Sequence, residues 1–246
     1  MPFALLIDIP ACVGCGACQE ACQTSHHLPV REMQKLSATN YTFMEKFPND
    51  VFVRRMCQHC EDPTCASVCP VGAFEKKKEG AVVYDADKCI GCRYCIMACP
   101  FNIPKYEWSE SYPRVRKCTM CYEERTSKGI PTACSEACPS GATLFGDRDE
   151  LLRDALKRIT EDKTYVQKIY GMKEAGATSV FYITQTPFEQ LGFQTVGFEP
   201  LPRTTWNVLS KIPDVVTLGG AALYGIWWIT RRREEVRAVE NQSRNN

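Results

Sequence analysis

Cys89-Ile90-Gly91-Cys92-Arg93-Tyr94-Cys95-Ile96-Met97-Ala98-Cys99-Pro100 is the stretch that decides the fold. Three cysteines two residues apart, then a fourth after three more, make the C-x2-C-x2-C-x3-C run of bacterial ferredoxins. Three such cysteines on a tight turn grip three irons of one cubane. The turn also aims backbone N–H groups at the sulfurs, which offsets the negative charge of the cluster. Gly91 eases the turn. The fourth cysteine starts on the following helix, points the other way and so reaches a neighbouring cluster, while Pro100 fixes the exit of the chain.

One other group has the same spacing, and two more are variants of it. Cys12, Cys15, Cys18 and Cys22 repeat it, with Gly14 easing the turn. Cys57, Cys60, Cys65 and Cys69 form another group, and Cys118, Cys121, Cys134 and Cys138 the last, with twelve residues between Cys121 and Cys134. Pro70 and Pro139 follow the final cysteines of those two groups, whereas Cys22 has no such proline. Sixteen cysteines at four per cubane give four [4Fe–4S] clusters with none left over. Disulfides fit poorly, because the cysteines are clustered in a long chain rather than scattered through a small one. Zinc takes two separated C-x2-C knuckles, and a third cysteine two residues on has no use there.

Around each group the pattern reads as short strand, cysteine turn, short helix, last cysteine, strand, an internal repeat that sets an α+β fold. Phe3 to Ile9 and Val51 to Met56 are the strands entering the first two groups. Phe74 to Tyr84 reads as a hairpin with Glu79-Gly80 near its turn, and Ala142 to Phe145 as a closing strand. Asp147 to Ile159 predicts a surface helix, with Asp147 as N-cap, Glu150 three residues on, and Leu151, Leu152, Ala155, Leu156 and Ile159 on one apolar face. Ser179 to Thr184 reads as a strand, Pro187 to Phe193 as a short helical turn, and residues 196–213, rich in proline, as extended.

Val215 to Thr230 carries no charge for sixteen residues and is followed by Arg231-Arg232-Arg233. As a helix it rises about 24 Å, against a hydrocarbon core of roughly 30 Å. Trp227 and Trp228 stand where an aromatic belt belongs, and the arginines snorkel to headgroups. Gly219, Gly220 and Gly225 admit a second membrane helix at close range. The alternative is a buried helix or one lying on a partner.

Charge excludes one class of partner. Thirty Lys and Arg against twenty-nine Asp and Glu leave a net charge of +1, without the basic excess of nucleic-acid binding. No phosphate loop, nucleophile elbow or acid–base pair stands out, so catalysis belongs to a partner. His26, His27 and His59 are assigned surface or packing roles, since every cluster already has four cysteines. Arg54, Arg55, Arg93 and Lys105 flank cysteine turns, where positive charge raises a cluster potential; solvated or ion-paired side chains are the simpler expectation.

The sequence resembles the four-cluster iron–sulfur subunits of the dimethyl sulfoxide reductase family of respiratory enzymes, in particular those of membrane-bound formate dehydrogenases and quinone-linked nickel–iron hydrogenases. Residues 57–65, 89–95 and 99–106 carry the resemblance, which is strong from 5 to about 150 and weaker from Tyr170-Gly171 to Phe188. It implies four ligand sets: Cys12, Cys15, Cys18 and Cys138 for cluster 1; Cys22, Cys118, Cys121 and Cys134 for cluster 2; Cys57, Cys60, Cys65 and Cys99 for cluster 3; Cys69, Cys89, Cys92 and Cys95 for cluster 4. Two pseudo-symmetric ferredoxin-like dicluster modules follow, an outer one from 1–50 with 105–148 and an inner one from 51–104. A docking segment (149–213), a transmembrane helix (214–232) and a polar tail (233–246) complete the expected organisation.

The implied partners are a catalytic large subunit of molybdenum or tungsten pterin or nickel–iron type, and an integral membrane cytochrome b or quinone-reactive subunit. The implied function is electron relay between them. A soluble polyferredoxin and an iron–sulfur sensor are the competing classes. The start of the chain lacks a basic n-region, a twin-arginine pair and a long apolar run. Arg231, Arg232, Arg233 and Arg237 crowd one end of the apolar segment, with Arg203 and Lys211 near the other, which puts the tail in the cytoplasm and the cluster domain outside. The family's route for such export is carriage on a twin-arginine-bearing catalytic partner.

Overall fold

The computed structural model describes residues 2–244. In chain order the elements are β1 (Phe3–Asp8), α1 (Ala17–Ser25), β2 (Phe43–Phe47), β3 (Val51–Arg55), α2 (Thr64–Ser67), β4 (Phe74–Lys76), β5 (Val82–Tyr84), α3 (Tyr94–Ala98), β6 (Lys105–Tyr106), β7 (Val115–Arg116), α4 (Ala133–Glu136), β8 (Thr143–Asp147), α5 (Arg148–Glu161), β9 (Val180–Ile183), α6 (Leu201–Leu209) and α7 (Ile212–Arg244). The architecture is mixed α and β, with contacts dividing the chain into a unit ending at Pro202 and a second from Arg203.

β1 is the hub of the first unit because its apolar run is buried on both faces. β8 pairs with it antiparallel and β9 parallel, in the order β8-β1-β9. Strand alternation sorts its residues between two cores. Leu5 and Ile7 join Cys57, Cys118, Val180 and Tyr182 on the cysteine side. Ala4 and Leu6 join Leu151, Ala155, Ile159, Phe181 and Ile183 under α5. Leu5, Leu6 and Phe181 are fully buried, each contributing roughly 1.5–3 kcal/mol of hydrophobic stabilisation.

α5 begins as its sequence directs. The Asp147 carboxylate accepts from the N–H groups of Asp149 (3.0 Å) and Glu150 (3.2 Å), satisfying two orphan donors of the first turn. Leu151, Ala155 and Ile159 face the sheet and Leu152 packs at its margin. Leu156 does not share that face: it is 44% exposed, five positions beyond Leu151 and so rotated off the stripe.

The remaining sheets are antiparallel pairs, β2-β3, β4-β5 and β6-β7. The expected hairpin pairs Phe74 with Tyr84 and Lys76 with Val82, and its turn receives the N-terminal strand through Phe3 N–H donating to Glu79 O at 2.9 Å. α1 packs on α4, and α2 on α3. A third core of Ala73, Phe74, Val82, Cys95 and Val115 fills the space beside Cys65, Cys69 and Cys89. Pro187 to Phe193 is a turn closed by Phe193 N–H to Phe188 O at 3.1 Å.

Residues 196–213 depart from expectation, since 201–209 is α6 rather than extended chain. The prolines explain the difference. Pro202 and Pro213 each occupy the first turn of a helix, where a missing N–H costs no hydrogen bond and the fixed φ is already helical. In the second unit α7 runs 33 residues, about 50 Å, well beyond the uncharged segment. Its apolar side chains are exposed all round, with Leu223 at 69% and Ile226 at 59%. One 18-residue window has mean hydropathy 1.3, making this a candidate membrane helix.

Candidate metal centre

Each Cys-x-x-Cys turn is built with one backbone device. The residue just before the second cysteine lies in the left-handed region: Gly14 at φ 69°, His59 at 49°, Gly91 at 70° and Met120 at 59°. That kink turns its N–H back onto the first cysteine. Gly91 N–H donates to Cys89 Sγ at 3.4 Å and Met120 N–H to Cys118 Sγ at 3.3 Å. At Gly14 a Cβ would lie 2.5 Å from the Phe52 ring, so any side chain there must displace that ring. His59 and Met120 adopt the same geometry against a penalty of roughly 1–2 kcal/mol each. Nothing in their side chains announces it.

The helices place the remaining cysteines. Cys18 and Cys22 lie within α1, Cys95 within α3, Cys65 in α2 and Cys134 in α4, while Cys69, Cys99 and Cys138 follow their helices. Packing of α1 on α4 brings the first and fourth groups together, and α2 on α3 does so for the middle groups. Cys12, Cys15, Cys18 and Cys138 line one cavity with Met44, Arg54 and Thr143. Cys22 is close to Cys118, Cys134 and Cys121. Cys60 is close to Cys57, Cys99 and Cys65, and Cys95 to Cys89, Cys92 and Cys69. Neighbouring sets also lie near one another: Cys18 is near Cys134, Cys118 near Cys57, and Cys65 near Cys95.

Burial governs the thiols. It raises Cys12, Cys18, Cys22, Cys60, Cys99, Cys118 and Cys121, and pushes Cys65 and Cys95 up to about 12. Cys138 is instead lowered: burial raises it, but N–H groups of Thr143, Ala142 and Ser140 and the Ser140 hydroxyl together outweigh that.

Two buried cations face the sulfurs. Arg54 is 2% exposed, donates to Thr42 Oγ1 at 3.0 Å and Thr143 Oγ1 at 3.3 Å, and faces Cys134 and Cys18. Solvation does not apply to it, and the groups it faces are cysteine sulfurs rather than a carboxylate. Lys117 is 3% exposed, donates to the carbonyls of Val82 and Cys118, and acts on Cys65 and Cys99. It was not among the residues the sequence singled out. Burial just past the short strand Val115–Arg116 and beside Cys118 leaves no signature in the chain. The other flanking cations have other partners: Arg55, mostly buried, pairs with Glu45 at 2.6 Å and stacks on Phe193, Arg93 stacks on Tyr106 and Trp108, and Lys105 bonds Asn102 O at 2.8 Å.

The histidines divide. His27 is exposed. His26 Nε2 lies 3.9 Å from Cys121 Sγ. His59 is fully buried, and burial, then Lys117 and Lys76, hold its imidazole well below the usual range.

Residues 49–148 match the model of the 4Fe-4S dicluster domain. Hydrogenase-2 operon protein HybA of Escherichia coli O157:H7 is 32% identical, over 94% of this chain and 84% of that protein. The chain belongs to the iron–sulfur subunits of respiratory oxidoreductases. The nitrate-inducible formate dehydrogenase iron–sulfur subunit of Escherichia coli is 38% identical over 73% of this chain and 67% of its own length. A formate dehydrogenase iron–sulfur subunit of Haemophilus influenzae is 33% identical over 90% of this chain and 78% of its own. An iron–sulfur subunit needs cysteine sulfurs converging from separate turns with N–H groups aimed at them, and this chain supplies both. Its cofactors are iron–sulfur clusters.

Proposed function

We propose that this chain relays electrons through four [4Fe–4S] clusters between a catalytic subunit of formate dehydrogenase or hydrogenase type and a membrane cytochrome or quinone-reactive subunit. The observation that carries the reading is the convergence of cysteines in sets of four drawn from two turns each. Cys12, Cys15, Cys18 and Cys138 would hold cluster 1; Cys22, Cys118, Cys121 and Cys134 cluster 2; Cys57, Cys60, Cys65 and Cys99 cluster 3; Cys69, Cys89, Cys92 and Cys95 cluster 4. The packing of α1 on α4 and α2 on α3 supports two pseudo-symmetric modules, 1–50 with 105–148 and 51–104. Bound there, such clusters supply one-electron redox chemistry. The chain's own part is to hold them in a row, in the order 1-2-3-4 that the neighbouring sulfurs Cys18 and Cys134, Cys118 and Cys57, and Cys65 and Cys95 suggest.

Residues 149–213 serve as the docking segment and 214–232 as a single membrane span, with the polar tail 233–246 in the cytoplasm and the cluster unit outside. The span separates this reading from a soluble polyferredoxin. Extraction in mild detergent tests it: a catalytic large subunit and an integral membrane subunit should co-purify with the chain, and substrate of the large subunit should reduce its clusters. Recovery of the chain alone, from the soluble fraction, would sink the proposal.

A further inference from the structure

His59 lies in the Cys57–Cys60 turn, yet its ring reaches the other half of the protein. Nε2 is 3.5 Å from Cys118 Sγ. The opposite nitrogen fixes the tautomer: Val82 N–H donates to Nδ1 at 2.9 Å. A nitrogen accepting a backbone N–H holds no proton of its own, so the ring hydrogen sits on Nε2 and points at sulfur. The residue is clamped further at its carbonyl, which accepts from Ser179 N–H at 3.1 Å and from Lys76 Nζ at 3.0 Å. The left-handed backbone at φ 49° aims the ring. A strained, fully buried histidine held at three points has one atom left to use, and that atom faces the Cys118 sulfur.

We propose that His59 is a positioning residue that donates an N–H···S hydrogen bond to Cys118 and thereby raises the reduction potential of the cluster Cys118 ligates. The inference rests on the ligand assignment above. A donor on a ligand sulfur stabilises the more negative, reduced state. Met120 N–H already donates to the same sulfur at 3.3 Å, so Cys118 carries a backbone and an imidazole donor together. The placement matters for a relay. His59 belongs to the turn that would hold cluster 3 and touches a ligand of cluster 2, at the junction of the two proposed modules. Raising the potential on one side of that junction changes the step between them.

The test uses the native detergent-extracted complex. Cys118→Ser first identifies the affected cluster by its lost or altered paramagnetic resonance signal. Potentiometric titration of His59→Leu should then show that cluster's midpoint moved to more negative potential with the other midpoints held, while His59→Gln, which keeps an N–H near the Nε2 position, should restore most of the shift. All midpoints unchanged in a fully loaded His59→Leu complex would overturn the proposal. If His59→Leu fails to assemble, pulsed resonance on the unmutated complex labelled with 15N-histidine decides. An imidazole nitrogen coupling on the Cys118-linked signal, retained in His26→Ala, is expected, and its absence overturns the hydrogen bond. If Cys118→Ser alters no cluster, the ligand assignment falls and takes the proposal with it.

Discussion

The guanidinium of Arg54 donates from Nη1 to Thr143 Oγ1 at 3.3 Å, joining the strand that enters the second cysteine group to the strand that leaves the fourth. Nε donates to Thr42 Oγ1 at 3.0 Å. Among the described residues no carboxylate forms an ion pair with Arg54; it faces the sulfurs of Cys134 and Cys18. A buried unit charge beside such a centre is worth about 2 kcal/mol at an effective dielectric near 20, on the order of 100 mV for one electron. Arg54→Met should therefore lower the midpoints of the clusters bound by Cys18 and Cys134 by a shift of that order, with Arg54→Lys losing less. Potentiometric resonance titration checks it, and midpoints identical to the parent in Arg54→Met would contradict it.

Ligand sharing between distant turns is testable by paired substitution. Cys138 lines the same cavity as Cys12, Cys15 and Cys18, and Cys69 lies near Cys95. Cys138→Ser and Cys12→Ser should perturb one and the same resonance signal, and Cys69→Ser and Cys89→Ser another. Different signals from Cys138→Ser and Cys12→Ser would break the crossover assignment.

Loading should reach sixteen iron and sixteen acid-labile sulfide per chain, one cubane for each four of the sixteen cysteines. Stoichiometric zinc, or half that iron, would refute it. Because burial holds Cys65 and Cys95 up to about 12, those thiols are protonated near neutral pH and must shed protons to bind iron. The sign follows: metal loading releases protons, and apparent affinity rises with pH. A pH-stat during anaerobic reconstitution should consume base, and chelation of the iron should unfold much of the first unit, read as lost circular dichroism.

Topology has its own measurement. Protease added to intact spheroplasts should cut the cluster unit or its linker and spare the tail that follows Arg231-Arg232-Arg233. Protection of residues 1–200 until lysis, with no partner shielding them, would reverse the orientation. Leu223→Arg places a charge at the middle of the apolar helix, at a cost of about 2.5–3.5 kcal/mol for insertion, and should raise the fraction extracted by alkaline carbonate.

Local chemistry was legible in the chain. The turns at Cys12, Cys57, Cys89 and Cys118, the hairpin from Phe74 to Tyr84, the Asp147 cap and the apolar run before Arg231 all depend on residues within a few positions of one another. Spacing, glycine and capping residues encode such features directly. Two local readings failed for reasons equally local: Leu156 sits off the buried stripe of α5, and the prolines near 202 and 213 open helices instead of preventing them.

By itself the sequence determined that this protein carries sixteen cysteines in four ferredoxin-type groups, and hence its cofactor class and its likeness to a family of electron carriers. Only the tertiary structure decided which turn faces which. The pairing of β1 with both β8 and β9, the burial of Arg54 and Lys117 beside sulfur, and the reach of His59 to Cys118 join positions from 18 to 175 residues apart. Contacts at such separation arise when two apolar faces are buried together, here the two faces of β1. Burial then fixes which polar side chains lie inside and what they must bond, a choice that no local pattern records.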